Sequence, residues 1–268
     1  MEKKYELTDE ILEVGGHVLH RIKALRDFGN VKKGEIGGWI ENEDNLSHCG
    51  DCWVYGNAEV LGDAIVYGNA KVYGNAKVLG DAIVYGNAEV YGNAIVYGNA
   101  EVYGNAKVYG NAEVLGNAIV YGNAEVYGNA IVYGNAKVLG DAIVYGNAEV
   151  YGNAKVLGDA IVYGNAEVYG NAKVYGNAEV LGDAEVYGNA IVYGNAEVEK
   201  KSDYIVFKNW WSSGRYFTWT RSNDKWRVGS FYGTGEELIK KAYNDSDESG
   251  REYERIVKYV ESIKQEFK

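Results

Sequence analysis

The chain has no proline, one methionine, three histidines and two cysteines among its 268 residues. So few cysteines exclude a disulfide framework. The pair sits in one CxxC string, Cys49 to Cys52, and no second Cys/His pair completes a zinc site, so neither a metal nor any other cofactor is expected. No stretch approaches the roughly 18 apolar residues of a membrane span. The opening residues, MEKKYELTDE, hold no apolar signal core. A cytoplasmic location without a membrane partner is the resulting expectation. Basic residues are also in the minority, 27 Lys and Arg against 38 Asp and Glu, for a net charge of −11. That balance argues against direct binding of nucleic acid, which calls for a basic face.

What the chain has in abundance is glycine, 36 residues, and tyrosine, 25 residues, and both are periodic. From Val54 to Val198 the hexapeptide V-[Y/L]-G-[N/D]-A-x runs 24 times without insertion or deletion. One hexad cannot bury its own apolar side, so a repeat this short must stack into a solenoid. Ala, x, Val and Tyr form a short extended segment that sends Ala and Val inward and x and Tyr outward. Gly and Asn/Asp tolerate the positive φ of a tight corner. Three hexads per turn give a triangular prism of about eight coils, roughly 38 Å long at about 4.8 Å per coil. Counted back from Val54, the same frame puts Cys52 at the inward alanine position and Cys49 at the outward tyrosine position.

Composition divides the chain into three expected domains, 1–47, 48–198 and 199–268. The first holds alternating segments and a turn-rich stretch, and reads as a β-rich cap leading into an imperfect coil. In the last, 204–210, 215–221 and 225–231 read as three strands. Thr234-Gly235-Glu236-Glu237 is a capping box opening a helix to about residue 243. A second helix, 248–267, carries Tyr253, Ile256, Val257, Val260, Ile263 and Phe267 on one stripe, expected to pack on the small sheet.

The hexads resemble those of the hexapeptide-repeat, left-handed parallel β-helix family, in which an aliphatic residue is followed four positions later by a small one. Val54/Ala58, Val60/Ala64 and every later pair fit. The handedness is implied by the resemblance, since general chirality rules favour the right-handed crossover. The expected fold is therefore mainly β: a left-handed parallel β-helix with a β-rich N-terminal cap and a small α+β C-terminal domain. The flanks resemble a group carried by phages and prophages of Gram-positive bacteria. Residues 21–28, Gly37-Gly38-Trp39-Ile40-Glu41 and Asn45-Leu46-Ser47 match its N-terminal cap. Gly229, Phe231, Gly233, Thr234, Glu237 and Leu238 match its C-terminal pattern, with Ser230 where a cysteine is usual. The resemblance implies a mobile-element accessory protein working in the cytoplasm of a bacterial host.

The family's acyltransferases use a histidine on a coil, a projecting loop and a groove for the acyl donor. This chain has no histidine after His48, no loop within the array and no basic cluster on the prism for a phosphate; His17 and His20 fall in the cap. The expectation is a protein that is not an enzyme, with a degenerate acyltransferase as one alternative.

The outward positions carry the candidate binding surfaces. Tyr55, Tyr73, Tyr91, Tyr109, Tyr127, Tyr145 and Tyr163 recur at every third hexad in one unbroken column. The other columns are interrupted, at Leu61, Leu79 and Leu115 in one and at Leu139 and Leu157 in the other. Such a ladder suits a partner, or the stacking of a sugar or nucleotide, or it serves only to hold the coil together. Eight outward isoleucines point to a homo-oligomer, dimer or trimer. Stacked Asp63/Asp81 and Asp141/Asp159 supply too few oxygens for calcium. In the C-terminal region Trp210, Trp211, Trp219 and Trp226 occur with Arg215, Tyr216 and Arg221. So small a domain hardly needs four tryptophans in its core, and a recognition surface is expected there. The overall reading is a rigid spacer presenting a module that binds a host protein, such as a defence or nucleic-acid enzyme it would inhibit. A ligand-binding module using the tyrosine ladder is the other alternative.

Overall fold

The computed structural model describes residues 2–264. From Trp53–Val54 to Glu197–Val198 short strands recur every hexad, and each pairs in parallel with the strand three hexads further on. They build the three faces of a parallel β-solenoid. Each face is named here by an outward residue: the Tyr55, Leu61 and Tyr67 faces. The Tyr55 face holds nine strands, one per turn. About eight turns were expected, and the extra one begins before the repeats. Ile36–Ile40 pairs in parallel with Glu59–Val60, and Leu46 bridges to Val66. A β-ladder needs a backbone partner and a fitting inward side chain, and the hexad sequence is only one way to supply them. Gly38 supplies the fit here, because a Cβ on it would lie 2.6 Å from the Ala58 carbonyl oxygen and from Val54 Cγ1.

Inside the array every hexad valine and alanine is buried. Between coils, Glu89 N donates to Ala106 O at 3.0 Å, Tyr91 N to Val108 O at 3.0 Å and Asn93 N to Gly110 O at 2.7 Å, a pattern the other coils repeat. The hexad glycines take φ between +61° and +88°. At one corner the amides of Asn75, Asn93, Asn111, Asn129, Asn147 and Asn165 each donate to the next coil, ending on Asp183 at 2.8 Å. A carboxylate accepts and cannot donate, so aspartate fits the receiving end of such a ladder. Asp141 ends a second one, begun at Asn69.

The two ends expose opposite backbone groups, and the flanks match them. At the N-terminal end carbonyls point outward. Arg21 donates to Gly37 O and Gly56 O, Asn45 Nδ2 to Gly62 O and Ala64 O, and the buried Lys4 Nζ to Cys52 O. Tyr5, Phe28 and Trp53 plug the opening, with ring centroids 5.3 Å apart for Phe28–Trp53 and 6.1 Å for Tyr5–Trp53. At the C-terminal end N–H groups point outward, and side-chain oxygens receive them. Tyr187 N donates to Tyr204 Oη, Ile191 N to Thr218 Oγ1 at 2.8 Å and Glu197 N to Ser222 Oγ at 2.7 Å. These contacts withdraw the coil-end groups from pairing, and at the N-terminal end the sheet continues through the hairpin to Tyr5–Val14.

The hairpin Tyr5–Val14/His17–Ala24 lies along the Leu61 face, where Leu19, Trp39 and Leu61 are buried together against Leu12, Val14 and Leu79. Leu61 and Leu79 thus replace tyrosine where another element covers the coil. Cys52 is buried and Cys49 exposed, as the hexad frame places them.

Beyond the coil, Tyr204–Lys208, Tyr216–Thr220, Lys225–Val228 and Phe231–Gly233 form a four-stranded antiparallel sheet. Three strands were expected, but Gly229 at φ +57° turns the chain and splits the third. Helices α1 (Gly235–Asp245) and α2 (Asp247–Lys264) cover this sheet. The Thr234/Glu237 capping box opens α1, with contacts of 2.8 and 3.2 Å. Tyr253, Val257 and Val260 of the α2 stripe are buried against the sheet; Phe267 lies outside the described residues. Arg227 fixes the sheet to the Tyr67 face: its Nε donates to Tyr175 Oη at 2.6 Å and its guanidinium lies 4.6 Å from the Tyr193 ring centre.

Candidate functional site

The turn that joins Tyr204–Lys208 to Tyr216–Thr220 is organised by Asn209. Its N–H donates to Arg215 O at 2.8 Å, and its carbonyl accepts from Gly214 N at 2.7 Å. Its Oδ1 accepts from Ser212 N at 2.9 Å, and its Nδ2 donates to Tyr253 Oη, also at 2.9 Å. Asn209 is buried, so the turn is tied to α2 from beneath. The next residue, Trp210, is 70% exposed. Its ring stands edge-on to Trp211, which meets Tyr253 at 4.9 Å and so roots the exposed ring in the core. Arg215 and Tyr216 are also exposed, Tyr216 on the sheet face opposite Phe217 with Lys208 Nζ 5.7 Å from its ring centre.

Two of the expected binding tryptophans are not at the surface. Trp219 and Trp226 are 0% and 1% exposed and form the domain core with Phe217, Leu238 and Val257. They occupy the inner side of the sheet, facing α1 and α2, because a domain with two helices on one sheet face does consume large aromatics. Arg221 is separated from Trp210 by the length of a strand. It lies at the end of the coil, 3.6 Å from Asp203 and beside Glu197 and Ser222. Of the seven C-terminal residues expected to bind, Trp210 and Trp211 lie together on the turn; Arg215 is exposed at its end, and Tyr216 lies on the opposite sheet face beside Tyr187 and Tyr204.

The tyrosine column is stacked face to face. From Tyr73 through Tyr91, Tyr109, Tyr127 and Tyr145 to Tyr163, ring centres lie 4.7 to 5.1 Å apart and within 7° of parallel. Each ring covers its neighbour's face, which leaves edges and hydroxyls outward. A sugar or base stacks on an open ring face, and the interior of the ladder offers none. The stack breaks at its start, where Tyr55 meets Tyr73 edge-on at 89° over a hollow of about 430 Å³ lined by Asn30, Lys71 and Glu89. Tyr73 and Tyr109 donate to Glu89 and Glu125 at 2.8 and 2.9 Å. Burial in the stack first, and the carboxylate acceptors second, push both hydroxyls well above the usual phenol value.

One ordered acid–base pair lies in the cap, where sequence reasoning had set the histidines aside. Glu41 Oε2 accepts from Gly62 N at 2.7 Å, and Oε1 faces His17 Nδ1 at 2.9 Å. The His17 contact, then the Gly62 N–H, hold the Glu41 carboxyl below its ordinary value. Because the carboxylate only accepts, Nδ1 is the donor in this contact. The His17 side chain is 44% exposed. A base oriented by a fixed carboxylate is a working arrangement for proton transfer. The wide separation of the partners along the chain left no local signal to find it by.

No protein-family model matches the chain. Over 38 residues it is 45% identical to a protein described as "Uncharacterized acetyltransferase YdcK" of Escherichia coli strain K12. The match spans 14% of this chain and 12% of that protein. This likeness corrects the expectation that the chain is not an enzyme, because a protein named as an acetyltransferase shares part of its sequence. What is established is a β-solenoid of stacked parallel strands; the phage grouping rests on the flanking motifs alone. Among the described residues, no helix is long and apolar enough to cross a membrane.

Proposed function

We propose that this protein recognises a bacterial host protein through the surface around Trp210, with the β-solenoid as a rigid stalk. The observation that carries the reading is the 70% exposure of Trp210 on a turn locked by Asn209. Tryptophan, tyrosine and arginine dominate the energetics of protein interfaces. A ring on a prefixed backbone loses little further freedom on binding. An accessory role in a mobile element, including inhibition of a defence or nucleic-acid enzyme, belongs to the same proposal and rests on the resemblance of the flanks. The test is quantitative capture of host proteins by the full chain beside Trp210→Ala. The variant should bind its captured partner at least about 30-fold more weakly, the loss of one hot-spot residue. Equal binding by both chains would remove the Trp210 surface from the account.

A second reading, transfer of an acetyl group, is favoured by the likeness to the E. coli protein and by the His17–Glu41 pair. In it, His17 Nε2 takes the proton from an acceptor hydroxyl or amine as that group attacks the carbonyl of acetyl coenzyme A; the tetrahedral intermediate collapses with cleavage of the C–S bond, and the imidazolium, stabilised by Glu41, returns the proton to the leaving thiolate. Turnover of acetyl coenzyme A with a panel of amine and alcohol acceptors tests it. His17→Ala should slow transfer by about 100-fold or more. No turnover by the wild-type chain would dismiss this reading.

A further inference from the structure

Tyr204–Lys208 is an edge strand of the C-terminal sheet and pairs on one side only, with Tyr216–Thr220. Which backbone groups serve that pairing follows from its two flanks. Arg221 N donates to Asp203 O at 2.7 Å, and Asn209 N donates to Arg215 O at 2.8 Å. In an antiparallel ladder, hydrogen-bonded and non-hydrogen-bonded pairs alternate. Ile205–Trp219 and Phe207–Phe217 are therefore the bonded pairs, and the N–H and C=O groups of Val206 and Lys208 point away from the sheet. Among the described residues no hydrogen bond reaches these outward groups. The ends of the coil have their backbone groups received by flanking side chains, and this edge does not.

The side chains along the edge are also incompletely covered, and differently on its two faces. Val206 and Lys208 face the end of the coil, on the side of Thr218, whose Oγ1 accepts from Ile191 N. Beside them lies a hollow of about 400 Å³ walled by Tyr187, Lys201, Tyr204 and Tyr216. Lys201 is held by Glu185 at 2.8 Å, whereas Lys208 is exposed and has no carboxylate in ion-pair reach among the described residues. Ile205 and Phe207 face the helices instead. Both are only half-buried, at the margin of the core that Phe217, Trp219 and Trp226 fill.

We infer that an extended segment of a partner protein, alternating acidic and apolar residues, adds to the Tyr204–Lys208 edge as a further strand. This rests on the reading of the C-terminal domain as the recognition module, and it states how the partner's backbone is held. Val206 and Lys208 each offer one N–H and one C=O, which the main chain of the segment pairs. Strand alternation sends every second side chain of the segment toward the coil, where a carboxylate opposite Lys208 is favoured. The side chains between them meet Ile205 and Phe207, where apolar groups complete the burial. Charge also separates this occupant from a second copy of the chain. Lysine on an edge strand keeps like edges apart, and pairing two copies would bring two sets of Lys201 and Lys208 to one seam. The edge runs directly into Asn209 and Trp210, so a bound segment is carried toward the exposed ring.

The test titrates the full chain with a blocked peptide of about seven residues alternating glutamate and valine, the length such an edge accommodates. Val206→Pro removes the outward N–H without touching a bond to Tyr216–Thr220, and proline is tolerated on edge strands. It should weaken the peptide at least about 10-fold, whereas Val206→Thr, which keeps the N–H, should stay within about 3-fold of wild type. A peptide with lysine in place of glutamate should bind at least about 10-fold more weakly. Circular dichroism reports whether Val206→Pro folds. If it does not, amide exchange in the wild-type chain decides: Val206 and Lys208 should exchange fast when free and slow with peptide, while Phe207 is slow in both. No binding of the glutamate–valine peptide by the wild-type chain overturns the inference, as does equal binding by Val206→Pro or equal binding of the lysine peptide. Protection of the Val206 and Lys208 amides by concentration alone would overturn it too and give the edge to a second copy. The two readings of this domain fail separately. A host protein lost by Trp210→Ala but kept by Val206→Pro would overturn strand addition and leave the Trp210 surface in place. One kept by Trp210→Ala and lost by Val206→Pro would remove the Trp210 surface and leave the edge.

Discussion

The repeat array is built of parallel strands and the C-terminal domain of four antiparallel strands and two helices, and the two are held together on different principles. In the array a residue's surroundings follow from its place in a six-residue frame. Val90 sits between Val72 and Val108, and Asn111 between Asn93 and Asn129. In the C-terminal domain each large residue has a partner of its own: Asn209 holds Tyr253, Trp219 holds Asp224, and Arg227 holds Tyr175. The array is therefore redundant and the domain is not. Singular chemistry gathers where the translation stops, at the acceptors that close the last coil, at Trp210 and at the His17–Glu41 pair.

The largest expected effect separates the two regions outright. Deleting 199–268 strips the acceptors from Tyr187, Ile191 and Glu197 and bares the apolar cross-section of the coil, so the truncated chain should aggregate on expression. Deleting 109–126, one whole turn in frame, should leave a soluble chain with a cooperative thermal transition. If the coil deletion were the insoluble one, the redundancy assigned to the array would be wrong. Within the domain, Trp219→Ala should cost about 3–5 kcal/mol, a core cavity, whereas Trp210→Ala should stay within about 0.5 kcal/mol. Denaturant unfolding followed by tryptophan fluorescence reads both, and equal costs would erase the distinction between core and surface tryptophans. Within the array, Asn129→Asp can still accept from Asn111 but can no longer donate to Asn147. A loss of about 1 kcal/mol is expected, visible as a lowered denaturation midpoint beside Asp183→Asn, which should change little.

The smallest effect is a contrast in pH. Glu41 in the cap has a lowered folded value, chiefly through His17, so its contribution is present above the ordinary carboxylate range and is lost as pH falls through the lowered value. Tyr73 and Tyr109 have raised values, chiefly through burial, so their contribution is complete below about pH 10 and is lost as pH rises toward the folded value. Hydrogen exchange should show the N-terminal hairpin loosening first in acid. Phenolate absorbance should show the ladder tyrosines ionising only well into alkali. The reverse order of sensitivity would contradict both assignments.

Much of the fold was legible in the sequence because a hexad constrains its own neighbours. Val and Ala inward, glycine at the corner and Cys52 in an alanine slot follow from period alone. An imperfect coil ahead of the repeats was legible too, but not which residues build it, since Ile36–Ile40 and Leu46 enter through backbone pairing without carrying the repeat. At the C-terminal surface composition gave four tryptophans but could not divide them, because burial of Trp219 and Trp226 depends on where α1 and α2 settle. The His17–Glu41 pair was illegible, being made by a hairpin folding back on the first coil.

The central claim is that recognition resides in the C-terminal surface and the array only carries it. One capture experiment addresses this directly, with three chains side by side: the full protein, the 109–126 deletion and Trp210→Ala. The account predicts that the first two retain the same host protein at equal yield and that the third loses it. A partner kept by Trp210→Ala and lost with the missing coil would place recognition on the array and contradict the account.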